Sequence, residues 1–295
     1  MVGIGLASLD LLGSMPRFPA PNSKNRVTDV SIQGGGAAAT ACVAAARLGA
    51  RAAFAGVVGD DDLGRAILRG LEEEGVDVSR VVVATGRRSP FSFVAVNAGD
   101  ASRTVFHAPG DLPPLAPGDI DDAIFDGAGV VLIDGRQREA QLAAAARARR
   151  AGAEVLLDCE RLGDGGRALA AASDVVVASA GVVDELGGDA EAALDALAAL
   201  GPRWVVVTLG EEGSIGRAGG PILEQPAFRV DAVDTTGCGD AYHGAFAVGM
   251  LRGLDLAGCM ELASATAALK CRALGGRDGL PRAGEVDDFL ARARR

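Results

Sequence analysis

The sequence predicts an α/β protein: a doubly wound, mostly parallel sheet with helices on both faces and a small β-sheet lid. Three observations lead there. Short apolar strands alternate with Ala-rich helical stretches along most of the chain, the pattern of a parallel sheet covered by helices. At 295 residues the chain can bury a large core in one domain, 1–295. Two strand-rich insertions interrupt the rhythm, at about 12–33 and 89–108, and pairing between them would make the lid.

The core strands are expected at Val2–Ala7, Ala52–Val58, Val130–Ile133, Glu154–Asp158, Val175–Ala178 and Trp204–Leu209. Helices are expected at Ala37–Leu48, Asp61–Glu74, Glu139–Ala151, Glu191–Leu200, Gly239–Arg252 and Asp255–Leu274. In the second insertion, Asn97-Ala98-Gly99-Asp100 reads as a hairpin turn. The apolar start, Val2 to Leu12, lacks a basic leader and carries Asp10, so it is expected as a buried strand.

A formal charge of −10 argues against nucleic acid or an anionic membrane as partner. No apolar run reaches membrane-spanning length. Cys42, Cys159, Cys238, Cys259 and Cys271 form no Cys-x-x-Cys pair and are expected as reduced thiols of a cytoplasmic protein. Neither lysine follows a glycine, so the Gly-Lys-Ser/Thr of a phosphate-binding P-loop is absent.

The chemistry is concentrated in Asp234-Thr235-Thr236-Gly237-Cys238-Gly239-Asp240-Ala241-Tyr242-His243. Gly237 and Gly239 let the backbone bend and approach a ligand. The free N–H groups of the following helix, aided by its dipole, suit a transferring phosphoryl group. Asp240 is placed to orient a substrate hydroxyl, and a carboxylate in the first turn is expected to have a low pKa. Cys238 in this hole is expected to react with thiol reagents and to be protected by a ligand bound there.

This segment resembles the C-terminal signature of the ribokinase-like (PfkB) carbohydrate kinases, with Cys238 where that family commonly has Ala. The likeness runs along nearly the whole chain: Gly3 to Asp10, Gly35-Gly36-Ala37-Ala38-Ala39-Thr40, Gly56 to Gly64, and Thr208-Leu209-Gly210-Glu211-Glu212-Gly213. The resemblance implies ATP-dependent phosphorylation of a sugar, with Asp240 as base and the amides of Gly237, Cys238 and Gly239 as anion hole. Asp10, Gly35, Gly36 and Thr40 would face the sugar; Thr208, Gly210, Gly213 and Thr236 would face ATP.

It also implies Mg2+, K+ near Asp234 and Thr236, and a homodimer through the lid. The family's Asn-x-x-Glu motif appears as Ser179-Ala180-Gly181-Val182, without its carboxylate, so magnesium ligation does not carry over simply. Within the family the chain is similar to ketohexokinases and 6-deoxy-6-sulfofructose kinases. That likeness implies an anion pocket from Lys24 and Arg136, with His107 near the substrate. His243 reads as core or lining. A nucleoside kinase and a non-catalytic sugar or nucleotide sensor are the alternatives.

Overall fold

The computed structural model describes residues 1–99 and 102–294. Asp100, in the expected hairpin turn, lies outside the described residues. Nine strands form the main sheet, in the order Leu223–Gln225, Ser214–Arg217, Trp204–Thr208, Val175–Ala178, Glu154–Cys159, Val130–Ile133, Val2–Ile4, Ala52–Ala55 and Val76–Asp77. The run from Trp204–Thr208 to Val76–Asp77 is parallel throughout, and the first two strands are an antiparallel edge.

Successive strand residues face opposite sides of a sheet, and the burial follows that rule. Leu132, Leu156, Val175, Val177 and Val206 belong to one core, with helices Ala37–Arg47, Cys238–Leu251 and Leu256–Lys270. Val131, Ile133, Val155, Leu157, Val176 and Val205 belong to the other, with helices Arg138–Arg150, Gly163–Ala171 and Ala190–Ala198. Because both faces are covered, the central strands are apolar without alternation.

The strand order reverses direction beside Val2–Ile4, where the chain leaves for Ala52–Ala55 on one side and Val130–Ile133 on the other. In open α/β sheets ligands bind beyond the carboxyl ends of the strands at such a switch point.

A second sheet of four strands stands over that edge, in the order Asp29–Gly35, Ser8–Met15, Phe91–Asn97 and Arg103–Ala108. The opening strand is therefore shorter than expected. It ends at Ile4, and Asp10 belongs to the lid strand Ser8–Met15. Register places Gln33, Asp10, Ser92 and His107 in one row across this sheet. Leu12, Val94 and Val96, on the same face as Asp10, are buried against Leu274. The adjacent row, Ile32–Leu11–Phe93–Phe106, points the other way, because neighbours along a strand alternate.

Candidate active site

The helix Cys238–Leu251 starts at the carboxyl edge of the main sheet. Its N-cap, Gly237, has φ 72° and a left-handed backbone. A Cβ there would lie 2.7 Å from Gly276 Cα, so both the turn and the packing require glycine. Among the described residues the N–H groups of Gly237, Gly239 and Asp240 have no partner, whereas Cys238 N–H donates to Thr235 O at 3.3 Å. The set of open amides thus differs from the expected one: Asp240 N–H joins it and Cys238 N–H is turned inward.

Asp240, partly exposed in the first turn, is surrounded by acids. Burial pushes its carboxyl up to about 7, the charge on Asp158 adds to the shift, and His243 opposes it. The expected low pKa is overturned here, because enclosure among Asp158, Glu160 and Asp10 outweighs the helix dipole. A base titrating near neutrality is better matched to accepting a proton than an ordinary aspartate. His243, one turn on, is buried. Its Nδ1 lies 2.7 Å from Gly239 O, and its Nε2 is 3.4 Å from Asp158 Oδ1. It supports the helix start from behind, in agreement with a lining role.

On the lid side, Asp10 Oδ1 accepts from Ser8 Oγ at 3.1 Å, and burial raises its pKa. A Cβ on Gly35 would overlap the Asp10 carboxylate, which explains glycine at that position. His107 Nδ1 lies 3.3 Å from Ser92 Oγ, in the same row as Asp10. Lid and anion hole meet directly where Arg103 Nη1 donates to Thr235 Oγ1 at 2.6 Å.

Several expected site residues have other work. Thr40 is buried and accepts from Arg277 Nε at 3.3 Å, so its hydroxyl supports the glycine turn and is closed off from solvent. Arg277, also buried, donates to Gly35 O at 3.0 Å and contacts Asp10 electrostatically. Thr236 Oγ1 donates to Asp234 Oδ1 at 2.7 Å, so its hydroxyl is spent within the loop. Arg136 is ion-paired with Glu160, while Lys24 is exposed with no ion pair among the described residues. Gly36 caps the helix Ala37–Arg47. Thr208 Oγ1 donates to Ala178 O at 3.3 Å, and Gly210 and Gly213 turn the chain with φ 61° and 103°.

The cysteine expectation is corrected at one pair. Cys238 and Cys271 are bonded, with Cα atoms 6.3 Å apart, while Cys42, Cys159 and Cys259 are free and buried. Residues 33 apart in sequence are joined because the helix Leu256–Lys270 ends against the anion-hole turn. Reaction of Cys238 with thiol reagents therefore requires prior reduction.

Sequence reasoning passed over Arg277, Asp158, Glu160 and Lys270. Lys270 is buried, donates from Nζ to Asp234 O at 2.9 Å, and is pushed down to about 8, mainly by burial. A cleft of about 690 Å3 at the opposite end of the sheet, lined by Met1, Leu48, Arg51, Arg80 and Arg252 among others, holds none of these residues.

Residues 1–283 match the family model of the pfkB family carbohydrate kinases. The chain belongs to this family. Among its relatives is the ATP-dependent ribose-1-phosphate kinase of Halopiger xanaduensis, 31% identical over 99% of this chain and 98% of that protein. A crystal structure from Agrobacterium tumefaciens superposes with TM-score 0.90 at 31% identity, covering 100% of this chain and 98% of that one. The ribokinase of Arabidopsis thaliana, solved with ribose and ATP, shares the fold with TM-score 0.82 at 24% identity, over 98% and 97% of the two chains. The chain is accordingly an ATP-dependent carbohydrate kinase. Among its described residues no helix is long and apolar enough to cross a membrane.

Proposed function

We propose that this kinase transfers the γ-phosphoryl group of ATP to a primary hydroxyl of a small sugar, a ketohexose or an anionic derivative such as 6-deoxy-6-sulfofructose. The observation that carries the reading is the pair of carboxylates Asp10, on the lid, and Asp240, at the helix start, with the charge of Asp10 among those that raise the Asp240 pKa. Asp10, with Ser92 and His107 in its row, holds sugar hydroxyls. Asp240 accepts the proton of the attacking hydroxyl, and the amides of Gly237, Gly239 and Asp240 receive the charge of the moving phosphoryl group. Phosphoryl transfer asks for this positioning and charge stabilisation above all.

Magnesium arrives with ATP in this reading. No cluster of three or more His, Cys, Asp or Glu suited to a metal occurs among the described residues. In this reading the ion is held mainly by phosphates and water, with Asp158 and Glu160 among the acids whose charges act on Asp240. Thr208, Gly210 and Gly213 form the turn proposed for the nucleotide.

For the anionic derivative, the unpaired Lys24 and a relative named for a sugar phosphate favour a charged tail. The Arg136–Glu160 pair opposes it, since the tail would have to displace Glu160. Turnover of fructose, 6-deoxy-6-sulfofructose, ribose and ribose 1-phosphate by wild type and Lys24→Ala tests the point. An anionic substrate loses about tenfold or more in kcat/KM in the variant, because a charge-assisted hydrogen bond contributes about 1.5–3 kcal/mol, while a neutral sugar is unaffected. Equal loss for both classes sinks the anion pocket.

We further propose a homodimer through the outer lid face. Ile32, Val30 and Phe106 are 67%, 59% and 51% exposed there, in a continuous apolar row and its neighbour. Exposed apolar patches of this kind mark interaction sites. Sedimentation should give a dimer, and Ile32→Asp with Phe106→Asp should give a monomer. A wild-type monomer at assay concentration would refute it.

A further inference from the structure

The segment after the helix Leu256–Lys270 joins the lid to the turn that starts the catalytic helix. On the lid side, Gln33 Oε1 accepts from Arg277 N at 2.6 Å and from Asp278 N at 3.1 Å. Ser31 Oγ donates to Asp278 Oδ2 at 2.9 Å. On the other side, Gly275 N donates to Asp234 Oδ2 at 2.7 Å, and Gly276 Cα leaves no room for a Cβ on Gly237. Gln33 stands in the row of Asp10, and Gly237 caps the helix that carries Asp240. Residues 275–278 are thus a strap between the two carboxylates of the site.

Arg277 is the charged member of this strap, and it is 4% exposed. Its Nη2 donates to Gly35 O at 3.0 Å and its Nε to Thr40 Oγ1 at 3.3 Å, both neutral acceptors. Its Nη1 is buried and has no hydrogen-bond partner among the described residues. A buried charge with no counter-ion in contact destabilises a fold. Pinning a carbonyl and a hydroxyl needs only neutral donors, so the charge calls for a separate reason.

We propose that Arg277 is a positioning residue for phosphoryl transfer, the fixed charge in a strap that keeps the Asp10 carboxylate in register with the open amides of the helix Cys238–Leu251.

The strand before that helix's neighbour is built around the two charges. A Cβ on Gly34 would lie 1.9 Å from Arg277 Nη1, and a Cβ on Gly35 would lie 2.0 Å from Asp10 Oδ2. Both glycines therefore give up their side-chain space, one to the guanidinium and one to the carboxylate. Burial pushes Arg277 down to about 10, and Asp10, Cys42, Asp240 and Glu74 oppose that shift. Burial raises the Asp10 pKa, while Ser8 and Ser92 by hydrogen bonding and Arg277 and His107 by charge favour its ionised form. Asp240, whose own pKa Asp10 raises, is the acid that works against it.

A guanidinium suits this place because its planar fork carries several donors and stays charged at any working pH. With the side chain sealed from solvent, Arg277 acts through Asp10 and the glycine turn and does not touch the reacting atoms.

The inference rests on the reading of Asp10 as the carboxylate that holds the sugar. Arg277→Gln keeps a donor for Gly35 O and removes the charge. With whichever of fructose, 6-deoxy-6-sulfofructose, ribose and ribose 1-phosphate wild type turns over best, its kcat should fall by about 10²-fold, the loss that a misplacement of about 1 Å produces. The KM for ATP should stay within about twofold, and Arg277→Lys should recover most of the rate. The second readout needs no substrate. It is a ¹³C NMR titration of the Asp10 carboxyl, assigned with Asp10→Asn. The Asp10 pKa should rise by about one unit in Arg277→Gln and stay near wild type in Arg277→Lys.

A folded Arg277→Gln enzyme with unchanged kcat, or with an unchanged Asp10 titration, would overturn the proposal and leave Arg277 a structural pin. If Arg277→Gln does not fold, Gly34→Ala takes its place, because the added Cβ drives the guanidinium away and the Asp10 pKa must again rise. If no sugar is turned over, the titration decides alone, so failure of the substrate reading is separable from failure of this one.

Discussion

Asp240→Asn should lower kcat by about 10²–10⁴-fold, the usual cost of losing a general base, without loss of the fold. In wild type the kcat/KM for sugar should rise with pH through about 7, where the Asp240 carboxyl of the free enzyme ionises. The variant should lack that limb. Stability should change in the opposite sense. A carboxyl whose folded pKa is raised favours the native state only while protonated. Its contribution is complete below the unfolded value near 3.8 and is lost as pH rises through about 7. At pH 8 the asparagine variant, which has no charge to bury, should therefore unfold at a higher temperature than wild type. Steady-state rates from pH 5 to 9 and thermal melts at pH 8 check both halves. Near wild-type turnover with an unchanged pH profile would remove Asp240 from the mechanism.

The second large effect is expected at the lid. Asp10→Ala removes the carboxylate proposed to hold the sugar and takes away the charge that most raises the Arg277 pKa. Hydrogen bonds to charged groups contribute about 1.5–3 kcal/mol each, so kcat/KM for sugar should fall about 10- to 150-fold. The KM for ATP should hold, which separates the two halves of the site. Gly35→Ala should reproduce the defect from the other side, because its Cβ would occupy the position of the Asp10 carboxylate. A parallel loss of ATP affinity in both variants would mean that the lid carboxylate organises the whole site and does not hold the sugar.

Much of this molecule was legible in its sequence because local chemistry writes the pattern. Parallel strands covered on both faces must be uniformly apolar, so Val130–Ile133 and Val175–Ala178 stand out. The glycine-bounded turn before Asp240 announces a helix start with open amides. What escaped was set by contacts distant in sequence. Asp10 was expected at the end of a core strand, but the chain turns after Ile4 and carries it into the lid, where it pairs with Gln33 and Ser92.

Thr40 faces Arg277, 237 residues away. Cys271 meets Cys238 only because a helix ends against the anion-hole turn. Lys270 reads as the basic end of a helix, an ordinary dipole partner, until its burial is seen. The pKa of Asp240 escapes for the same reason, since the dipole is local while Asp158 and Glu160 arrive from one distant segment and Asp10 from another.

The most direct test is magnesium-ATP turnover against fructose, 6-deoxy-6-sulfofructose, ribose, ribose 1-phosphate, 2-keto-3-deoxygluconate and adenosine, with the product's phosphorylated position read by NMR. ADP should appear in step with a sugar phosphorylated at a primary hydroxyl, and both should vanish in Asp240→Asn. Bound ATP with no phosphorylated product from any acceptor would contradict a working kinase site and favour a sensor.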